Sequence, residues 1–218
     1  MKRFSLLFFL IVLSFTIAAN VQAHEPRIVP DNELVLIKNP DISQAFYGEL
    51  KGQPAYYLIN LKTAGDLYLQ ILVPDLPGIL KDKGVVITYS PELGQKAVNF
   101  SKLDPKSAGW EKFYEEYAGD NYLNGPEIKE PAEPGYYFIK VESPENEGKY
   151  VLVVGQKEAF PILESVKALV AIPILKVNFF NKPVWYFFEG KIGRYVGFAL
   201  LGLLILGLMF YKFNQVYK

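Results

Sequence analysis

Two uninterrupted apolar runs, one at each end, constrain this chain more than anything between them, because such stretches must be removed or embedded in lipid. The first, Phe4 to Ala19, follows Lys2 and Arg3 and leads into Val21-Gln22-Ala23. A basic start, an apolar middle and a small-x-small ending mark a secretory signal peptide, so residues 1–23 are predicted to be cleaved off after Ala23. The second run, Tyr195 to Tyr211, is uncharged and is flanked by Lys191, Arg194 and Lys212. It is predicted as a transmembrane helix over 195–213, with a short cytoplasmic tail at 214–218. Its 17 uncharged residues make about 25 Å of helix, so flanking residues must complete the crossing. Gly193 and Gly197 form a small-xxx-small pair of the kind that lets two membrane helices approach. The expected product is a single-pass protein of the cell membrane with an extracytoplasmic N-terminal domain. More positive charge precedes the span than follows it, which alone would invert this topology, but a cleaved leader commits the domain to export.

The part between the runs is rich enough in apolar side chains to fold: the chain is 50% hydrophobic and 15% aromatic. Cysteine is absent, which excludes disulfides, thiolate catalysis, Cys-based zinc sites and a lipid anchor on cysteine. Charge is divided unevenly. Residues 24–160 hold 14 basic and 21 acidic side chains, a net −7, whereas 161–218 hold 7 and 2, a net +5. An acidic body is a poor polyanion binder, so nucleic acid is not an expected partner. A basic C-terminal part suits anionic lipid.

Between Leu34 and Gly155 apolar residues mostly alternate, as in strands with one buried face. Leu67, Leu69, Ile71 and Val73 form one such row; Tyr137, Ile139 and Val141, then Tyr150, Leu152 and Val154, form two more. Turn residues cluster between the rows, at Asn39-Pro40-Asp41, Lys51-Gly52-Gln53-Pro54, Pro74 to Gly78 and Pro144 to Gly148. Short, regularly spaced strands predict an all-β sandwich of jelly-roll or Ig-like type over residues 24–160. Pro54-Ala55-Tyr56-Tyr57-Leu58-Ile59 echoes Pro134-Gly135-Tyr136-Tyr137-Phe138-Ile139, which suggests two similar hairpins. Residues 161–194 change character: Leu163, Val166, Leu169 and Val170 have helical spacing, and the aromatic cluster Phe179 to Phe188 follows. This juxtamembrane, amphipathic and aromatic connector is read as lying on the membrane, so that lipid is met through 161–213; the alternative is that it packs back on the sandwich.

Four groups of residues are candidates for chemistry. His24, the one histidine, becomes the first residue after cleavage, and a terminal imidazole and α-amine chelate Cu(II), with Glu25 or Asp31 as a third ligand. The stretch Trp110 to Glu130 mixes aromatics with acids and reads as a loop. Its Trp110, Tyr114, Tyr117 and Tyr122 offer faces for a partner or a sugar, while Asp120, Asn121, Asn124 and Glu127 offer oxygen ligands for calcium. Glu115 or Glu116 paired with Asp120 would meet the two-carboxylate requirement of a glycosidase. With no Cys and a single terminal His, an acyl-transfer triad is not expected, and neither is a phosphate-binding glycine loop or a zinc-helix motif. Asn99-Phe100-Ser101 fits a glycosylation triplet.

Gly135 to Val141 followed by Gly148 to Val154 resembles the closing hairpin of pre-peptidase C-terminal (PPC-like) domains, and Tyr56 to Ile59 and Asp66 to Leu69 are similar to earlier strands of that family. The likeness implies a small exported β-sandwich that assists secretion or binds substrates and partners; no catalytic residue is implied, and a membrane anchor departs from the usual plan. At Ala23-His24, and in joining a sandwich to an anchor, the chain also resembles CopC-like copper-binding proteins, but it lacks a second histidine and a Met-rich stretch. The function expected is therefore that of a non-enzymatic, membrane-anchored module that binds an envelope protein or polysaccharide. The alternatives are Cu(II) binding at His24 and carboxylate-dependent glycoside hydrolysis.

Overall fold

Along the strand Gly65–Pro74, Leu67, Leu69, Ile71 and Val73 turn the same way and lose essentially all contact with solvent. They enter one core with Phe46, Tyr57, Ile59, Ile87, Tyr137, Ile139, Tyr150 and Leu152. The core lies between two sheets. The computed structural model describes residues 24–159 and 161–216; the leader predicted over 1–23 lies outside the described residues.

In chain order the strands are β1 (Glu25–Ile28), β2 (Leu34–Ile37), β3 (Gln44–Lys51), β4 (Ala55–Leu61), β5 (Gly65–Pro74), β6 (Gly84–Ser90), β7 (Val98–Leu103), β8 (Glu111–Glu115), β9 (Asp120–Ala132), β10 (Gly135–Glu142) and β11 (Glu147–Val154). Six form one sheet in the order β1-β3-β11-β5-β9-β8, and five form the other in the order β2-β4-β10-β6-β7. Every pairing is antiparallel except the edge pairs β1 with β3 and β2 with β4. The expected all-β sandwich is present.

Its connections differ from those expected. The two tyrosine-rich segments are not halves of separate hairpins: they are β4 and β10, which pair with each other, Tyr57 beside Ile139 and Ile59 beside Tyr137. Nor do β10 and β11 close a hairpin, because they lie in opposite sheets. The turn at Ser143 to Asn146, with Asn146 at φ 51°, arches the chain over the core instead. Each arch puts consecutive apolar rows on facing inner surfaces.

The strand β11 reports a second buried layer. Tyr150, Leu152 and Val154 face the core, while Val151 and Val153 face outward and are equally inaccessible. They are covered by helix α1 (Ile162–Asn178), whose Leu175 packs with Phe179 and Phe180 on Ala45, Tyr47, Leu72 and Tyr122. A short 3-10 segment, Val184–Glu189, leads to helix α2 (Lys191–Val216). Within α2, Lys191–Lys212 is long and apolar enough to cross a membrane. Those 22 residues extend about 33 Å at 1.5 Å per residue, so the basic flank supplies the length that the uncharged run lacks.

Inside the core the hydroxyls of Tyr57 and Tyr150 bond only to each other among the described residues, at 2.7 Å, from facing sheets. Tyr150→Phe alone should strand a buried hydroxyl and cost about 1–3 kcal/mol. Tyr57→Phe with Tyr150→Phe should recover most of that loss. Urea unfolding of the full chain in detergent checks both, and a double variant no more stable than the single would count against the pair.

Candidate functional site

The turn between β8 and β9 is where the sandwich meets its helices. Glu115 stands opposite Asp120 at the hairpin end and folds its carboxylate back onto the backbone N–H groups of Tyr117 (2.7 Å) and Ala118 (2.8 Å). Burial pushes the Glu115 carboxyl up, and those two donors oppose the shift. Asp120 is inaccessible and accepts Lys176 at 2.7 Å and Lys182 at 3.0 Å. The ammonium of Lys176, also inaccessible, has further acceptors in the carbonyls of Ala118 (2.8 Å) and Gly119 (3.1 Å). Its three donors therefore all have oxygens. Desolvation moves Lys176 below the usual lysine range, with Asp120 pulling the other way.

The same turn receives the start of α2. Lys191 and Ile192 donate their backbone N–H groups to the carbonyls of Glu116 (2.9 Å) and Tyr117 (3.2 Å), so two of the four donors left unpaired at a helix N-terminus are satisfied by the sandwich itself. Gly119, at φ 78°, and Gly190 touch backbone to backbone; a Cβ on Gly119 would stand 2.6 Å from the nitrogen of Gly190. Lys191 also pairs with Glu116. Farther on, Gly193 packs on the carbonyl of Phe187 and Gly197 lies against the ring of Phe188, so this small-residue pair serves a contact within the chain.

The connector expected to lie on the membrane is therefore docked on the six-stranded sheet, because the outer face of that sheet is itself apolar. Ala168, Ile172, Leu175 and Phe179 turn inward from α1, and Phe187 and Ile192 join them. The opposite side of α1 still exposes Leu163, Val166, Val170, Ile174 and Val177, with Val184, Trp185 and Phe188 beyond it.

Edge strands β1 and β2, together with the first turns of α1, border an open cleft of about 790 Å³. Its floor is apolar, with Ile28, Val29, Val35 and Phe46. One wall carries Arg27, bound to Glu25 (2.5 Å) and to Glu164 of α1 (2.6 Å). Burial raises the Glu25 carboxyl, and Arg27 counters it.

The predicted site residues scatter. Trp110 and Tyr122 belong to the interior rather than to a contact surface: Trp110 donates its indole N–H to the carbonyl of Pro105 (2.8 Å), and Tyr122 meets the hydroxyl of Tyr47 (2.8 Å) under α1. The supposed loop is the hairpin β8–β9, whose inward residues complete the two hydrophobic layers. Tyr114 is exposed and Tyr117 is half-buried against the junction.

The calcium set does not converge. Asp120 is taken by two lysines, Asn121 is exposed, Asn124 is half-buried, and Glu127 accepts the hydroxyl of Tyr68 (2.7 Å). Seven residues of extended strand also separate Asp120 from Glu127 by about 23 Å, against ligand distances near 2.4 Å in a calcium shell.

The copper set is dispersed as well. His24 is half-buried in a hollow with Tyr68, Phe113, Glu115 and Glu158, and its Nδ1 is engaged with Ser43 Oγ. Glu25 faces Arg27, and Asp31 pairs with Lys51 (2.7 Å) at a separate hollow. Among the described residues no three His, Asp or Glu side chains gather as a metal would require. As for hydrolysis, Glu115 and Asp120 are both committed to the junction, and Glu116 to Lys191.

Sequence reasoning missed the Arg27–Glu164 tie and the pairing of Lys176 with Asp120, because it turned the basic residues of the connector towards lipid. A signal for Lys176 existed: a lone lysine on the helical stripe of Ile172, Leu175 and Phe179 needs a partner when that stripe is buried.

No protein-family profile matches the chain, and no curated protein matches it. Similar solved structures include the pre-peptidase C-terminal domain of a collagenase from Bacillus anthracis, 14% identical over 62% of this chain and 98% of that one, with TM-score 0.33. PliG, a periplasmic inhibitor of g-type lysozyme from Aeromonas hydrophila, is 14% identical over 60% and 97%, with TM-score 0.37. CorA, a surface-associated copper-binding protein of Methylomicrobium album BG8, is 10% identical over 59% and 98%, with TM-score 0.31. The neighbours thus include a pre-peptidase C-terminal domain and a copper-binding protein.

Burial holds His24 down to about 4 from an ordinary 6.5. An unfolded chain therefore takes up a proton that the folded one refuses between these values, so stability is full above about pH 6.5 and falls as pH drops towards 4. The loss should reach about 2–3 kcal/mol. Comparing unfolding of the full chain and His24→Asn at pH 7 and 4.5 isolates it; equal acid sensitivity would show that His24 is not the group.

Proposed function

We propose that this chain is a non-enzymatic, membrane-anchored extracytoplasmic module whose β-sandwich binds a protein or glycan of the cell envelope. The observation that carries the reading is the bonding of the first N–H groups of α2 to the β8–β9 turn. A body joined so directly to an apolar helix of membrane length has a fixed bearing on that helix, which suits presentation of a surface. The outward apolar residues of α1, with exposed Lys167 among them and Trp185 near the start of α2, fit the headgroup layer beside the span. The absence of turnover is supported by the carboxylates: each one placed for hydrolysis is bound to a lysine or to backbone donors.

Expressed from its own leader, the chain should stay in the membrane through an alkaline carbonate wash. Protease added outside intact cells should remove the sandwich and leave a fragment containing α2. Full protection of the sandwich in such cells would overturn the topology. In nanodiscs, the full chain should show saturable binding and no product on arrays of envelope glycans and proteins; turnover of any glycan would overturn the non-enzymatic reading.

A further inference from the structure

A sandwich has four edge strands, each with a row of backbone groups open to pairing by another chain. Here they are β1 and β8 in one sheet and β2 and β7 in the other. Three are defended. Pro26 removes a donor from β1, and Arg27 ties that edge to Glu164 of α1. On β8, Glu111 and Lys112 place charges, the latter paired with Asp75 at 3.0 Å. The pairing of β7 is broken by a register shift at Ile87/Thr88, and its Lys102 is exposed.

The fourth edge has none of these devices. Its residues are Leu34-Val35-Leu36-Ile37, without proline, glycine or charge, and it pairs on one side only, with β4. Val35 and Ile37 point towards the core, while Leu34 and Leu36 stand 54% and 60% exposed. A hollow lies on each side of the strand. The 790 Å³ cleft borders it on the β1 side, and a second hollow of about 530 Å³ lies on the outer face against Leu36, Leu58 and Tyr136. A strand added to β2 would send its inward side chains towards the cleft and lay the others beside Leu36, at the rim of the outer hollow.

The charges beside the edge state what such a strand carries. Lys38 lines both hollows and Lys62 lines the outer one, and both are exposed on a body that is otherwise acidic. Neither ammonium has an ion-pair partner among the described residues.

We propose that β2 is a strand-addition site that takes an extended segment of a partner protein, with apolar residues at alternate positions and acidic residues opposite Lys38 and Lys62. This narrows the module reading above to one surface and one form of partner, and rests on it.

The test is to pan random dodecapeptides displayed on phage over the full chain in nanodiscs. Enriched peptides should alternate apolar residues, carry Asp or Glu and lack proline in the middle. As synthetic peptides they should bind Leu36→Lys at least tenfold more weakly. Lys38→Glu with Lys62→Glu should weaken the acidic peptides by a similar factor and favour basic ones. Both changes lie at exposed positions, and circular dichroism should show the sheets intact in each variant.

Enriched peptides indifferent to Leu36→Lys would overturn the edge site while leaving a protein-binding module in place. No enrichment, beside saturable glycan binding on the arrays, would overturn the edge and leave the module as a glycan binder. Dimerisation of the peptide-free chain that Leu36→Lys abolishes would assign the edge to a second copy and overturn the proposal as well.

Discussion

The contact between Lys176 and Asp120 is the one on which the arrangement of this molecule depends. Both groups are removed from water, and removing one partner of such a pair generally costs about 3–5 kcal/mol because the other charge is left buried. The lysine is on α1, the aspartate opens β9, and the carbonyls completing the ammonium's shell belong to the turn that receives α2. One ammonium thus fixes the covering helix, the sheet and the start of the apolar helix together. Hydrophobic burial of Leu175, Phe179 and Phe180 supplies attraction between α1 and the sheet, but it is not directional. The charged pair selects which turn of the helix lies over which residue.

From this junction outward, the body divides into a committed side and an open one. The six-stranded sheet is covered on its outer face and linked to α2. Among the described residues no helix packs in the hydrophobic layers of the five-stranded sheet, and its edge strand β2 borders two open hollows. Carboxylates follow the same division: those at the junction are saturated by lysines and backbone donors, so their role there is to hold geometry. Exposed apolar side chains occur on both sides, at Leu34 and Leu36 of β2 and along the outer side of α1.

Strand alternation was legible in the chain because burial on one face imposes a period of two, and rows such as Leu67, Leu69, Ile71 and Val73 display it directly. The covered outer face was also written there, in the unbroken apolar run Tyr150 to Val154, where both parities are apolar because both faces are buried. Which strand joins which sheet was not legible. An arch and a hairpin use the same turn residues, and a Pro-Glu-Asn turn serves either. The candidate loop from Trp110 to Glu130 misled for a related reason: its aromatics are spread among acids, a pattern that a twisted hairpin buried on part of each face shares with a surface loop.

By itself, then, the sequence determined what each segment needed: an apolar C-terminal run of membrane length, strands with buried faces, and an acidic body followed by a basic C-terminal part. These are local properties, fixed by hydropathy, period and charge. Only the tertiary structure decided where the needs were met. Whether Asp120 would meet a metal or Lys176, whether Trp110 would face a ligand or the core, and which of four edges would stay undefended depend on residues tens of positions apart in the chain. Their proximity is set by packing, and no reading of neighbours along the chain contains it.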